Sequence, residues 1–361
     1  MTALPVRPVK NLSLLNSLYR TALALGVLWC VCCVGLTACS QPDPVWRLEG
    51  MQGTALWHVT VNKPHATLSE AQLQAGLNNA FAETNQLIGS WEPTSTISQF
   101  NRYSGTDWFS VSPKLAKLVE LTLHISQQSA GSYDVTLAPL LQLWGFGSHD
   151  AEKARIPTQA EIAIARAKVG YQKLQVRLDP PALRKSQPDI HLELASVADG
   201  FAADQAGVYL ESLGIHDYMV EIAGEVRTRG ISPRGDAWRI AIEKPLEETE
   251  RMVQQGVSLR NAGLATSGDY RNFFVKGGQR YSHTFDPTTG SPVTHNLASA
   301  SVLAEETTVA DAYATLFMVL GEEKAKIFAE THGISAYFIW RTDDGFKTFA
   351  TTGFNEAFIN N

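Results

Sequence analysis

All four cysteines of this 361-residue chain, Cys30, Cys32, Cys33 and Cys39, fall within its first 39 residues. The rest must therefore fold without a disulfide, a thiolate-ligated zinc or a cysteine nucleophile. Its stability has to come from an apolar core. An apolar content of 44% and a charged content of 18% are ordinary for a chain that builds one. A net charge of −6 gives no electrostatic reason to expect a nucleic-acid partner. The length suits one large domain or two small ones. No repeat or linker-like gap interrupts the body, so a single domain with two lobes is expected over 48–361.

The first 38 residues read as a targeting segment. Arg7, Lys10 and Arg20 make a basic start, and residues 21–36 carry no charge. The stretch closes on Leu36-Thr37-Ala38-Cys39, which resembles a bacterial lipobox with Cys39 as the lipidated residue. An uncleaved anchor or an ordinary signal peptide are the alternatives. Ser40-Gln41-Pro42-Asp43-Pro44 then begins a polar, proline-containing tether, taken as 39–47. A lipid-anchored protein at the periplasmic face is expected, on the inner rather than the outer membrane.

Hydrophobic spacing predicts the elements. Alternation over 54–61 reads as a strand. Ser69 with Gln72, Ser112 before Pro113, and Thr158 with Glu161 read as helix starts. Strands are expected at 174–178 and 191–194, with a helix over 198–213 closed by Gly214. A strand-rich block follows at 218–222, 225–229, 238–243, 256–259 and 272–276. Gly277-Gly278 then turns the chain into 280–285. After a strand at 298–303 come helices at 309–320 and 322–331 and a hairpin over 336–350. Strands outnumber helices and do not alternate regularly with them. This argues an α+β fold with largely antiparallel sheets and packed helices.

Several clusters carry candidate chemistry. Asp311 and Thr315 are four residues apart on a predicted helix, which puts a carboxylate and a hydroxyl on one face. Such oxygens suit a hard cation like Mg²⁺, although an acid early in a helix also simply favours the dipole. His283 lies in Tyr281-Ser282-His283-Thr284-Phe285-Asp286-Pro287-Thr288-Thr289-Gly290, as a possible base or a histidine bonded to its own turn. Glu193-Leu194-Ala195-Ser196-Val197-Ala198-Asp199-Gly200 leads into a helix start, where amides and oxygens suit a phosphate or its metal. Asp199 would repel a bare phosphate there, and helix capping is its plain alternative. Gly131-Ser132-Tyr133-Asp134 and Leu143-Trp144-Gly145-Phe146-Gly147 place aromatics beside glycines, either for a planar ligand or as a buried loop. No P-loop and no Gly-x-Ser-x-Gly elbow is present.

Taken in order, these runs resemble the ApbE family, the FAD:protein FMN transferases. The resemblance also takes in Met51-Gln52-Gly53-Thr54, Ser98-Gln99-Phe100-Asn101, Gly200-Phe201-Ala202-Ala203-Asp204 and Thr266-Ser267-Gly268-Asp269-Tyr270-Arg271-Asn272. It implies FAD as substrate, with contacts from Met51, Trp91, Ser132, Tyr133, Asp134, Glu193, Asp199 and Phe285. It implies Mg²⁺ held by the Ser196 carbonyl and the Asp311 and Thr315 side chains, with His283 as general base. It further implies acceptor flavoprotein subunits of membrane electron-transport complexes, modified on a threonine. FAD hydrolysis to FMN and AMP, or a non-catalytic lipid-tethered flavin carrier, are the competing readings. The chain departs from the family pattern in three places. Asp199 stands where many members carry lysine, and Ala314 where some carry an acid. Ala223 stands where many carry a second glycine, a change expected to cost little.

Overall fold

The computed structural model describes residues 45–62, 64, 68–146, 155–246, 252–270 and 273–359. The targeting segment, Cys39, Gly147, Arg271 and Asn272 lie outside these residues. The first strand, β1 (Val45–Gln52), starts within the stretch read as tether. Sequence alternation misses it because it is an edge strand that buries only Leu48 and Gln52. It pairs with β2 (Ala55–Asn62), and Gly50 lies directly opposite Trp57. A Cβ at Gly50 would come within 2.4 Å of the indole, so only glycine admits the buried Trp57 ring across the strand.

Helix α1 (Glu70–Ile88) opens on the expected capping box of Ser69 and Gln72. Helix α2 (Thr96–Arg102) leads to the short strand β3 (Phe109–Ser110) and then to α3 (Pro113–Gln128), capped by Ser112. Next come α4 (Ala138–Trp144) and α5 (Gln159–Arg166), the latter started by the Thr158–Glu161 box. Strands β4 (Leu174–Leu178) and β5 (Pro181–Lys185) join β3 in a small sheet.

The segment 191–194 is not a strand. Its backbone is held by a side chain instead: Asn101 Nδ2 donates to the Leu192 carbonyl at 2.9 Å, and Leu192 N donates to Asn101 Oδ1 at 2.8 Å. Buried Ile190, Leu192 and Leu194 produce the alternation that mimics a strand. Helix α6 (Ala195–Ser212) therefore begins three residues before the predicted start.

The remaining strands are β6 (Tyr218–Ile222), β7 (Glu225–Arg229), β8 (Trp238–Glu243), β9 (Val253–Leu259), β10 (Gly263–Gly268), β11 (Phe273–Lys276), β12 (Gln279–Ser282), β13 (Phe285–Asp286), β14 (Ser291–Pro292) and β15 (Leu297–Ala304). Helices α7 (Thr307–Leu320) and α8 (Glu322–His332) precede the hairpin β16 (Ser335–Thr342) and β17 (Gly345–Ala350) and the short α9 (Thr352–Asn355). The expected strand over 280–285 is broken at His283 and Thr284, where the Thr284 carbonyl accepts from Val293 N.

Eight strands form one sheet in the order β1-β2-β6-β7-β10-β15-β16-β17, and every neighbouring pair is antiparallel. Both of its faces are buried. Ala265, Val302, Ala336 and Phe338 pack with Ala310, Ala314 and Phe317 of α7. The alternate residues Leu264, Tyr337 and Ile339 pack with Ile242, Val257 and Leu259 of the β8–β9 hairpin. Helices α1 and α6 cover β2 and β6 through Leu73, Leu77, Ala203 and Leu210. Residues 45–361 form one compact unit.

Candidate active site

The site grows from the contact between α6 and α7. Gly200 on α6 permits their approach: a Cβ there would stand 2.7 Å from the Thr307 carbonyl oxygen and 2.9 Å from Asp311 Cβ. Asp204, one turn further along α6, sets the start of α7. Its carboxylate accepts from Thr307 N at 3.0 Å, Thr308 N at 2.9 Å and Thr308 Oγ1 at 2.6 Å. An acid at a helix N-terminus satisfies orphan amides and complements the dipole. Arg227 Nη1 donates to the same carboxylate at 2.7 Å, so this buried acid is paired.

Asp311 follows one turn after that cap. Its Oδ2 accepts from Gly200 N at 3.1 Å. In a regular helix this amide serves the Ser196 carbonyl alone. Here it also donates to Asp311. Thr315, on the same face as Asp311, lies 3.3 Å from Ser267 Oγ through its Oγ1. Ser196 Oγ lies 2.8 Å from the buried Tyr133 hydroxyl. Burial is the main cause that raises the Tyr133 hydroxyl above the usual tyrosine range, and the carboxylates of Asp311 and Asp134 add to it.

Three carboxyls crowd this corner. Asp311 is held well above the ordinary carboxylate range by burial and then by repulsion from Asp199. Glu225, at the start of β7, is raised well above its usual value by burial and then by Asp311 and Asp199. Burial alone pushes Asp199 from 3.8 to about 6. Among the described residues, no basic side chain forms an ion pair with any of the three. Carboxylate, hydroxyl and main-chain carbonyl are hard oxygen donors, and uncompensated buried acids beside them fit a divalent cation such as Mg²⁺. Sequence reasoning missed Glu225, whose only signal is its place after the Ala223-Gly224 turn.

A cleft of about 450 Å³ lies beside the N-terminus of α6. Trp91, Phe146, Asn101, His191, Glu193 and Ala195 line it. Trp91 is 53% exposed and Met51 is 60% exposed, so both are available to an apolar ligand. The indole leans on the β1–β2 turn, where a Cβ at Gly53 would lie 3.3 Å from it. Glu193 Oε1 accepts from Ala195 N at 3.1 Å and so supplies the cap that α6 lacks at Leu194. Burial raises the Glu193 carboxyl above its usual value.

Other predicted residues are placed differently. The Asp134 carboxylate is filled from within, by Thr136 N, Thr136 Oγ1 and Tyr171 N. Ser132 is half-buried in the turn before it. Phe285 is a core residue at 2% exposure, edge-on to Trp144 and Phe146. Trp144 is buried too, with Nε1 donating to the Gly290 carbonyl, so the buried-loop reading holds for it. His283 is half-buried in the bend joining β12 to β13. Asp199 lies in the second turn of α6 and caps nothing. Ala314 is fully buried and belongs to the same core cluster as Phe317. Ala223 has φ 54°, a left-handed conformation that favours glycine, so this departure carries strain of about 1 kcal/mol.

The comparisons with known proteins agree with this architecture. Residues 53–338 match the model of the ApbE family. The chain is 35% identical to the FAD:protein FMN transferase of Vibrio cholerae over 88% of its own length and 94% of the relative's. It is 34% identical to the one from Escherichia coli K12, over 95% and 98%. Among solved structures it resembles the flavin transferase ApbE from Vibrio cholerae with a TM-score of 0.79 at 33% identity, covering 88% of this chain and 100% of that one. The apo flavinyl transferase ApbE from Pseudomonas stutzeri matches with a TM-score of 0.79 at 35% identity, over 88% and 97%. A family match spanning most of the body, on a fold whose abutting α6 and α7 carry the expected oxygen donors, leaves one conclusion: this chain belongs to the ApbE family.

Proposed function

We propose that this protein transfers the FMN moiety of FAD to a threonine hydroxyl of an acceptor flavoprotein and releases AMP. The observation that carries this reading is the Asp311–Gly200 hydrogen bond. It fixes the Asp311 carboxylate where two helices meet, on the helix face that also carries Thr315 and one turn of α6 from Ser196.

Trp91 and Met51 offer apolar surface to the isoalloxazine, and Glu193 and Tyr133 bracket the approach to Ser196. The Ser196 carbonyl, Asp311 and Thr315 would hold Mg²⁺, which when bound neutralises the pyrophosphate charge. The threonine oxygen forms a bond to the phosphorus on the riboflavin side as the bond from that phosphorus to the AMP oxygen breaks. His283 takes the threonine proton on a ring nitrogen, because a neutral hydroxyl is a weak nucleophile. Most of the rate would come from positioning and electrostatics. Lipidation at Cys39 would hold the body at the periplasmic face of the inner membrane, beside electron-transport complexes that supply acceptors.

The test combines the protein with FAD, Mg²⁺ and a threonine-bearing acceptor domain, then weighs the denatured acceptor. One added FMN, lost in Asp311→Ala, is the expected result. AMP and free FMN with unmodified acceptor would make the protein an FAD pyrophosphatase. FAD bound with neither product would make it a flavin carrier.

A further inference from the structure

Lys185 ends β5, the central strand of the small β3-β5-β4 sheet, opposite Leu174 of β4. Its side chain is fully buried. A buried ammonium is costly unless its charge is met, yet among the described residues no carboxylate forms an ion pair with it. Asp189 pairs with Lys168 instead, at 3.6 Å. The ammonium has three hydrogens and spends them on main-chain carbonyls. Nζ donates to Phe100 at 3.1 Å, to Asn101 at 3.2 Å and to Ile190 at 3.4 Å. Phe100 and Asn101 lie in the last turn of α2, where carbonyls run out of helical partners and favour a cation. Ile190 immediately precedes the segment 191–194.

That segment carries one wall of the Trp91 cleft and has no strand partner. Besides the Lys185 bond at Ile190, Asn101 holds it at Leu192, and Glu193 N donates to the Val135 carbonyl at 2.7 Å. Lys185 also grips the Asn101 carbonyl, so it bears on two of these three points. Glu193 then reaches both ways. Its Oε1 accepts from Ala195 N at 3.1 Å, at the start of α6, and from Ser90 Oγ at 3.4 Å, on the neighbour of Trp91. Ser98 of α2 donates from its hydroxyl to the Ser90 carbonyl at 3.3 Å. One ammonium thus joins the helix that holds the Trp91 turn to the segment that carries Glu193.

We infer that Lys185 is a positioning residue for FAD: from the end of the small sheet it locks the last turn of α2 to the segment 190–194 and so fixes Glu193 and Trp91 across the cleft. The inference rests on the reading of this cleft as the FAD site. Lys185 is buried behind the lining and acts through Asn101 and Glu193, which belong to it. Without the ammonium, three carbonyls lose their donor at once. The segment then moves to reach water, and the wall holding Glu193 is ordered for only part of the time. Affinity for FAD falls by that fraction.

Lys185→Met keeps the apolar stem and removes the charge and its donors. The dissociation constant for FAD is measured by equilibrium dialysis without acceptor, and KM is then measured separately for FAD and for a threonine-bearing acceptor domain. Both FAD constants are expected to rise about tenfold or more, with the acceptor KM unchanged. Lys185→Gln, whose amide can still donate to two carbonyls, should fall between, and it carries the test if the Met variant does not fold. A merely structural lysine would lower the melting temperature and leave the FAD constants of the folded variants at wild-type values. That result overturns the inference. Dialysis needs no acceptor, so it decides the role of Lys185 whether or not FMN is transferred. Wild type that binds no FAD would sink the reading of the cleft and the role of Lys185 with it.

Discussion

Gly200 N donates to Asp311 Oδ2 at 3.1 Å, across a helix contact that leaves no room for a side chain. The same residue thus sets the spacing of α6 and α7 and orients the acid that would hold the cation.

Gly200→Ala is therefore expected to lose more than it gains. Alanine favours a helix by about 1 kcal/mol over glycine. Its methyl, however, would press on the Thr307 carbonyl and Asp311 Cβ, and overpacking of this kind costs about 1–3 kcal/mol. Urea denaturation should show a lower midpoint, and FMN transfer should need more Mg²⁺ for half-maximal rate. An unchanged midpoint and Mg²⁺ dependence would show that the contact yields freely.

Asp204→Ala removes the cap of α7 and leaves the buried Arg227 only its longer 3.6 Å ion-pair contact with Glu211. Breaking a buried pair from one side costs about 3–5 kcal/mol. A fall in melting temperature of about 5–8 °C is expected by calorimetry. Asp204→Asn, which keeps one acceptor oxygen, should recover part of it.

The pH dependence follows from Asp199. Its carboxyl rises from 3.8 to about 6 on folding, so the folded state binds this proton more tightly than the unfolded one. The associated stabilisation is complete below 3.8 and is lost as pH rises through about 6. In chelator, Asp199→Asn should be more stable than wild type at about pH 8, by up to about 3 kcal/mol, and the gain should fade towards about pH 4. A denaturation series across this range checks it. A gain that does not vary with pH would mean that the carboxyl keeps its ordinary value.

Ala223→Gly relieves a left-handed alanine and should stabilise the β6–β7 turn by up to about 1 kcal/mol, read as a small rise in the denaturant midpoint. A loss instead would show that unfolded-state entropy outweighs the strain.

The caps are legible in the sequence because they are local: Ser69 with Gln72, Ser112 with Leu115 N, and Thr158 with Glu161 each complete a bond within three residues. The Gly277-Gly278 turn is legible because both φ angles, 61° and 78°, suit only permissive residues. Strand β1 and the segment 191–194 mislead for one shared reason. Alternation reports which side chains are buried, not what their backbone bonds to. Leu192 is buried like a strand residue, yet its partner is the Asn101 side chain, 91 positions away.

The site divides in the same way. Asp311 and Thr315 are readable as a pair because helix geometry fixes their shared face. Glu225 is not, because a lone acid after a turn looks like any exposed hairpin residue until burial sets it against Asp311 and Asp199. Phe285 and Asp134 are flavin contacts by family resemblance alone; packing adds that the first sits in the core and that the second holds three internal donors. By itself, the sequence determined the cysteine-free body, the antiparallel α+β class, the capped helices and the family pattern, all of which rest on local chemistry and spacing. Only the tertiary structure decided which acids crowd together and which aromatics stay exposed, because burial and long-range hydrogen bonding depend on where distant segments come to rest.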